Sequence, residues 1–84
     1  MELIPSERAV LGQISALFLE ASVRTYRLKA LTSRWPVLHY DAYNGGYTGL
    51  VKRGYIARSP DGLSFSITNA GLKAMGAIAK GRRQ

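Results

Sequence analysis

The sequence predicts an α+β fold with three helices, a two-stranded β-hairpin and a closing C-terminal helix. Apolar residues recur at helical spacing over residues 6–21, and residues 63–67 alternate between apolar and polar side chains. Between two short apolar runs lies Ser59-Pro60-Asp61-Gly62, a sequence typical of a tight turn. Because the chain has 84 residues, we expect one domain over residues 1–84 with a modest core.

The first helix is predicted over residues 6–21. Its apolar stripe, which we interpret as core, comprises Val10, Ile14, Leu17 and Ala21. We expect Ser6 to cap this helix and Glu7 to interact favourably with the positive end of the helix dipole.

The second helix is predicted over residues 23–33, where apolar residues share one face. As an alternative, the segment from Val23 to Tyr26 forms a short strand. The helix must end before Pro36, because proline disfavours helical geometry at the residue before it. That residue, Trp35, is interpreted as a core or hinge residue, and stacking on a nucleic acid is the alternative.

Residues 38–53 are predicted to form a third helix with three faces. An apolar and aromatic stripe comprises Tyr40, Tyr43, Tyr47, Leu50 and Val51. A polar face comprises Asp41, Gly45, Thr48 and Lys52, with Asn44 at its edge. A strip of small residues, which continues into Arg53, comprises Ala42, Gly46 and Gly49.

The glycines in this segment allow two interpretations. Each glycine costs about 1 kcal/mol in a helix relative to alanine, and Asn44-Gly45-Gly46 is also a turn signal, so a loop is the alternative. The strip of small residues gives these glycines a role in a continuous helix, because another helix or a backbone could approach closely there. The spacing of its tyrosines indicates core packing, with a stacking platform for single strands as the other interpretation.

Turn chemistry marks the hairpin. Gly54 follows the third helix and is expected to take the left-handed backbone conformation. The two strands are predicted over residues 55–59 and 63–67. The buried face of the second strand is expected to comprise Leu63, Phe65 and Ile67.

The closing helix is predicted over residues 69–80, with Thr68 and Asn69 as candidate caps, and residues 80–84 form a basic tail. Its apolar stripe is short for a helix that must cover both the first helix and the hairpin. We therefore expect a homodimer contact at Leu72, Met75 and Ile78.

The balance of charge is the strongest global indication of a partner. Twelve basic residues against five acidic ones give a net charge of +7 and a pI near 10.3. This balance favours a nucleic acid or an anionic surface as partner, although a basic protein-interaction module would share it. A stretch without an acid contains Arg24, Arg27, Lys29 and Arg34.

Other functions are disfavoured by the residue content. With no cysteine and one histidine, His39, the chain is expected to hold no metal or cofactor. No catalytic constellation or phosphate-binding loop is recognisable, so we do not expect an enzyme. Apolar runs of about four residues are too short to span a membrane. Without a recognisable signal sequence, the expected location is the cytoplasm, with nucleoid association when DNA is bound.

The second half of the chain resembles a known family. Leu-Val-Lys-Arg-Gly-Tyr-Ile at residues 50–56 and Asp-Gly-Leu-Ser-Phe-Ser-Ile-Thr-Asn-Ala-Gly at residues 61–71 are similar to segments of MarR-type and related winged helix-turn-helix regulators. The resemblance covers residues 50–76, about a third of the chain. It implies a recognition helix ending at Gly54, a wing hairpin, sequence-specific DNA binding in transcription regulation, and a bacterial, phage or plasmid setting.

On this interpretation the polar face of the third helix reads bases in the major groove. Asn44 suits adenine, Thr48 offers a hydroxyl or a methyl contact, and Lys52 suits guanine or a phosphate. Basic residues elsewhere would hold phosphates. The full set of expected DNA-binding residues is Arg24, Arg27, Lys29, Arg34, Asn44, Thr48, Lys52, Arg53 and Arg58.

Two alternatives stay open. One is a winged-helix protein-interaction module, such as an adaptor or an inhibitor encoded by a mobile element, which would bind a protein partner. The other is an accessory factor that bends DNA. The protein-interaction module stays open because the glycines and Asp41 of the third helix leave its polar face with few groups that could read bases.

Overall fold

The chain folds into four α-helices and a three-stranded antiparallel sheet in this computed structural model, which describes residues 3–82 and the side chains of residues 3–76. The elements, in order, are α1 Pro5–Ala21, β1 Thr25–Arg27, α2 Leu28–Thr32, a 3-10 turn Val37–His39, α3 Tyr40–Lys52, β2 Ile56–Arg58, β3 Ser64–Ile67 and α4 Asn69–Arg82. The predicted α+β class is confirmed.

The first helix begins one residue earlier than predicted. Pro5 occupies the first helical position, where the missing N–H of proline removes no helical hydrogen bond. The Ile4 backbone N–H donates to Glu7 Oε1 at 3.0 Å. The prediction that Ser6 caps this helix is therefore wrong, because the helix already includes it.

The segment before α2 forms a strand. β1 pairs with β3, which gives the sheet order β1-β3-β2. The Tyr26 ring lies 5.8 Å from the Phe65 ring between centroids, and Thr25 Oγ1 lies 2.9 Å from Ser66 Oγ. The helix predicted over residues 23–33 is therefore reduced to Leu28–Thr32, and the two-stranded hairpin gains a third strand. The alternative of a short strand in this segment is confirmed.

The third helix passes through Asn44-Gly45-Gly46 without a break, as predicted. A Cβ atom at Gly46 would overlap the Ser6 backbone, and one at Gly49 would overlap the Glu7 side chain. α3 and α1 therefore approach closely along these two glycines, and this packing outweighs the low helix propensity of glycine. Ala42, at the other end of the strip, is exposed.

The end of α3 and the hairpin follow the predicted turn chemistry. Gly54 has φ 79°, its N–H donates to the Val51 carbonyl at 3.0 Å, and the Tyr55 N–H donates to the Leu50 carbonyl at 3.1 Å. These are the two hydrogen bonds of a Schellman motif. In the tight turn, the Gly62 N–H donates to the Ser59 carbonyl at 2.9 Å.

Two details of the hairpin differ from the prediction. Its strands are shorter, Ile56–Arg58 and Ser64–Ile67. Leu63 is 68% exposed, because it belongs to the turn, where its N–H donates to Asp61 Oδ1. Phe65 and Ile67 are buried as predicted.

Thr68 caps the closing helix. Its Oγ1 accepts a hydrogen bond from the Gly71 N–H at 3.1 Å and lies 2.9 Å from the Tyr55 carbonyl oxygen, to which it can donate. Of the two candidate caps, Thr68 therefore fills the role and ties α4 to the end of α3. Asn69 is the first residue of α4.

The core lies between α1, α3 and the inner face of the sheet. Trp35 and Tyr47 belong to it, and the Tyr40 ring packs edge-on against Trp35 at 5.1 Å between centroids. The tyrosine stripe of α3 thus packs against the core rather than forming an open platform, although Tyr40 keeps 45% of its surface exposed. Among the described residues, no helix has the length and apolar character needed to cross a membrane.

Candidate nucleic-acid interface

The polar face of α3 lies on the surface. Gly46 and Gly49 face α1, and Tyr47 and Leu50 face the core, so the remaining side of the helix is turned outward. The polar residues Asp41, Asn44 and Lys52 are exposed, and Thr48 is half-buried. The packing of α3 therefore presents the residues that the sequence assigned to base contacts.

Asn44 and Thr48 are in direct contact. The Thr48 hydroxyl donates to the Asn44 backbone carbonyl at 3.0 Å, which leaves its methyl group and an oxygen lone pair for other contacts. In the described part of the chain, the Asn44 side chain makes no hydrogen bond. Its amide can therefore both donate and accept, which is the pattern that pairs with an adenine edge.

The two arginines of the sheet lie on different faces. Arg58 is opposite Phe65 in the strand register, on the side of the core, and Arg27 is opposite Ser64, on the other side. Burial raises the pKa of Tyr47, and the nearby positive charge of Arg58 opposes this effect. β2, which carries Arg58, contacts α3, whereas Arg27 is on the far face of the sheet.

The remaining basic residues of the expected DNA-binding set differ in the contacts that their side chains make. Lys29 in α2 is exposed. The Arg24 guanidinium donates to Asn69 Oδ1 at 2.9 Å, and Arg34 forms an ion pair with Glu20 at 3.4 Å. Both contacts are exposed, where such pairs contribute about 0–1 kcal/mol, so a phosphate can replace either partner.

Arg53 is engaged by Glu7 within the fold, and its expected contact with DNA stays a prediction. Its Nη2 and Nε atoms both lie 3.0 Å from Glu7 Oε1, and the two side chains are largely buried. The hydrogen bond from Arg53 is the main reason that the pKa of Glu7 lies below its ordinary value, and the Ile4 N–H adds to the effect. The Arg53 guanidinium charge is therefore paired with the Glu7 carboxylate within the fold.

The expected dimer contact is also altered by the structure. Met75 is 5% exposed and belongs to the core, so its side chain offers no surface to a second chain. Leu72 is half-buried, and the side chain of Ile78 lies outside the described residues. A homodimer through α4 stays a prediction that rests on Leu72 and the residues beyond residue 76.

Two features of this region were missed by sequence reasoning. One is the Glu7–Arg53 pair, which joins residues 46 positions apart and which no local signal in the sequence indicates. The other is a pair of apolar side chains before α3, Val37 and Leu38, which are 90% and 92% exposed. No periodicity in the sequence signalled their exposure.

Comparisons with protein-family models, with curated proteins and with solved structures found no match to this chain. Among the described residues, no group of three or more His, Cys, Asp and Glu residues could hold a metal ion.

Proposed function

We propose that this protein is a winged helix-turn-helix DNA-binding domain that reads the major groove of duplex DNA with α3 and acts as a small transcriptional regulator. The observation that carries the proposal is the orientation of α3. Its glycines pack on α1, its tyrosines pack on the core, and its exposed side carries Asn44, Thr48 and Lys52.

The order of elements supports the proposal. A winged helix contains, in order, a helix, a short strand, a helix-turn-helix pair and a hairpin that pairs with that strand. The elements of this chain follow the same order. In such domains the second helix of the pair enters the major groove and the hairpin flanks it. Here we assign these roles to α3 and to the hairpin of β2 and β3, whose strand β2 carries Arg58 and contacts α3.

Charge supports the same partner. The chain carries a net charge of +7, and the ion pair of Arg53 with Glu7 removes only a matched pair of charges. The exposed arginines and lysines therefore attract phosphates whatever the base sequence is. The side-chain amide of Asn44 adds a contact that depends on the base.

The first test is a titration of a random duplex at about 50 and 200 mM salt. With about four to six phosphate contacts, the logarithm of the affinity should fall with the logarithm of the salt concentration at a slope of about −4 to −5. A flat response, or no binding at low salt, would reject the proposal and favour the protein-interaction module.

A matched pair of variants locates the binding face. Lys52 lies on the exposed side of α3 and Lys73 is exposed on α4, so Lys52→Glu and Lys73→Glu make the same change of charge at two places. We expect the first to weaken binding of the duplex at least ten-fold and the second much less. Equal losses would mean that α3 is not the binding element.

A further inference from the structure

Two adjacent apolar side chains project from the turn that precedes α3. Val37 and Leu38 are 90% and 92% exposed, although both are of the kind that normally lies inside a fold. Their backbone is held in place, because the His39 N–H donates to the Pro36 carbonyl at 3.0 Å and the Tyr40 N–H donates to the Val37 carbonyl. The pair is therefore held on the surface by an ordered turn.

The pair lies immediately before the N-terminal end of α3. Val37 and Leu38 belong to the 3-10 turn Val37–His39, which leads directly into Tyr40, the first residue of α3. Residues at the start of a recognition helix are those that reach base edges in the major groove. If α3 enters the groove by its N-terminal end, Val37 and Leu38 lie next to the bases at that end.

We propose that Val37 and Leu38 read thymine methyl groups, so that the preferred DNA site carries thymines where the start of α3 meets the groove. This inference rests on the proposed function. The 5-methyl group of thymine is the one apolar group that a base pair presents in the major groove, and aliphatic side chains contact it. Such contacts would remove both side chains from water.

A protein partner explains the pair less well. Two aliphatic side chains present far less area than the roughly 800 Å² per partner that a stable protein–protein interface buries. The exposed side of α3, which follows this turn, carries the polar residues Asp41, Asn44 and Lys52. A short apolar tip on a polar helix, in a chain of net charge +7, matches a DNA groove better than an apolar docking surface.

The experiment first selects a preferred duplex from a random pool and then replaces its thymines with deoxyuridine, which lacks only the methyl group. We expect the unmodified protein to lose about three- to five-fold in affinity for each methyl group that is read. The Val37→Ala/Leu38→Ala variant should bind the thymine duplex more weakly and respond little to deoxyuridine. Leu19→Ala is the matched control, because Leu19 is an apolar residue of α1 that is 79% exposed.

The outcomes separate this inference from the proposed function. If the protein binds the selected duplex but neither form of the protein responds to deoxyuridine, the inference is wrong and DNA binding stands. If the double variant keeps the full response, another group reads the methyl, which also overturns the inference. If no duplex binds at any salt concentration, both proposals fail together. Thermal unfolding of the variant confirms that it is folded, and the deoxyuridine response of the unmodified protein tests the idea without any variant.

Discussion

Arg53 Nη2 lies 3.0 Å from Glu7 Oε1, so a largely buried ion pair joins the end of α3 to the first turn of α1. The same carboxylate oxygen accepts a hydrogen bond from the Ile4 N–H. Gly49 leaves the space that the Glu7 carboxylate occupies. The helix proposed to read DNA is thus held at its C-terminal end by a charge contact and along its length by glycine packing.

Removal of the Glu7 charge should destabilise the fold strongly. Glu7→Gln leaves the Arg53 guanidinium largely buried without its carboxylate, and we expect the free energy of unfolding to fall by about 2–3 kcal/mol. The control is Glu20→Gln, which removes an exposed ion pair with Arg34 and should cost at most about 1 kcal/mol. Urea unfolding measures both variants, and equal losses would show that burial adds nothing to the Glu7–Arg53 pair.

Acid should remove the contribution of the same pair. The pKa of Glu7 in the folded protein lies below its ordinary value of 4.5, so the folded state binds fewer protons than the unfolded state near that pH. The stabilisation is therefore complete above about pH 4.5 and is lost as the pH falls through the folded pKa.

Unfolding free energies from about pH 7 to about pH 3 test this pH dependence. The hydroxyl of Ser59 also lowers the pKa of Asp61, so the acid loss of the unmodified protein contains more than one group. The difference between the unmodified protein and Glu7→Gln isolates Glu7. That difference should shrink below about pH 4.5, and a difference independent of pH would contradict the prediction.

Neighbouring glycines of α3 should respond in opposite directions to alanine. A Cβ at Gly46 meets the Ser6 backbone, which cannot easily move, whereas a Cβ at Gly45 meets nothing within 4 Å. We expect Gly46→Ala to destabilise the protein by about 1–3 kcal/mol and Gly45→Ala to stabilise it by about 1 kcal/mol through helix propensity. Thermal unfolding distinguishes them, and a loop at this position would give two similar, small effects.

Two tyrosines differ in what their hydroxyl groups contribute. Within the described residues, the buried Tyr47 hydroxyl has no hydrogen-bond partner, whereas the Tyr26 hydroxyl donates to the Leu17 carbonyl at 3.2 Å. Tyr47→Phe should therefore raise the free energy of unfolding by about 1 kcal/mol, and Tyr26→Phe should lower it by about 0.5–1.5 kcal/mol. The same unfolding assay measures both, and a loss at Tyr47 would point to a bound water as its partner.

Residues that contact bases and residues that contact phosphates should have different effects on DNA affinity. Asn44→Ala is expected to cost about 1–3 kcal/mol on a selected duplex and little on random DNA, because only base-edge contacts discriminate. Arg58→Ala should weaken both duplexes alike and reduce the salt slope by about one unit. Arg27→Ala, on the other face of the sheet, should have a smaller effect than Arg58→Ala. Should Asn44→Ala leave both duplexes unaffected, α3 is not the base-reading element.

Elements that depend on local chemistry could be predicted from the sequence. The periodicity of α1, the turn at Ser59-Pro60-Asp61-Gly62 and the left-handed Gly54 each depend on residues a few positions apart. The exposed side of α3 followed from the same reasoning, since its three faces repeat at helical spacing. In each case the residues that decide the conformation lie within the segment itself.

Partners from distant parts of the chain decided the rest. The segment at Thr25–Arg27 became a strand because β3 offered it a free edge, and Thr25 and its partner Ser66 are 41 residues apart in the chain. Arg53 is paired with Glu7, 46 residues away, and Met75, expected at a dimer contact, is buried in the core. Local sequence carries propensity and periodicity, but pairing of a strand edge, burial of a charge and close approach of two helices each require a second segment. The tertiary structure alone brings those segments together.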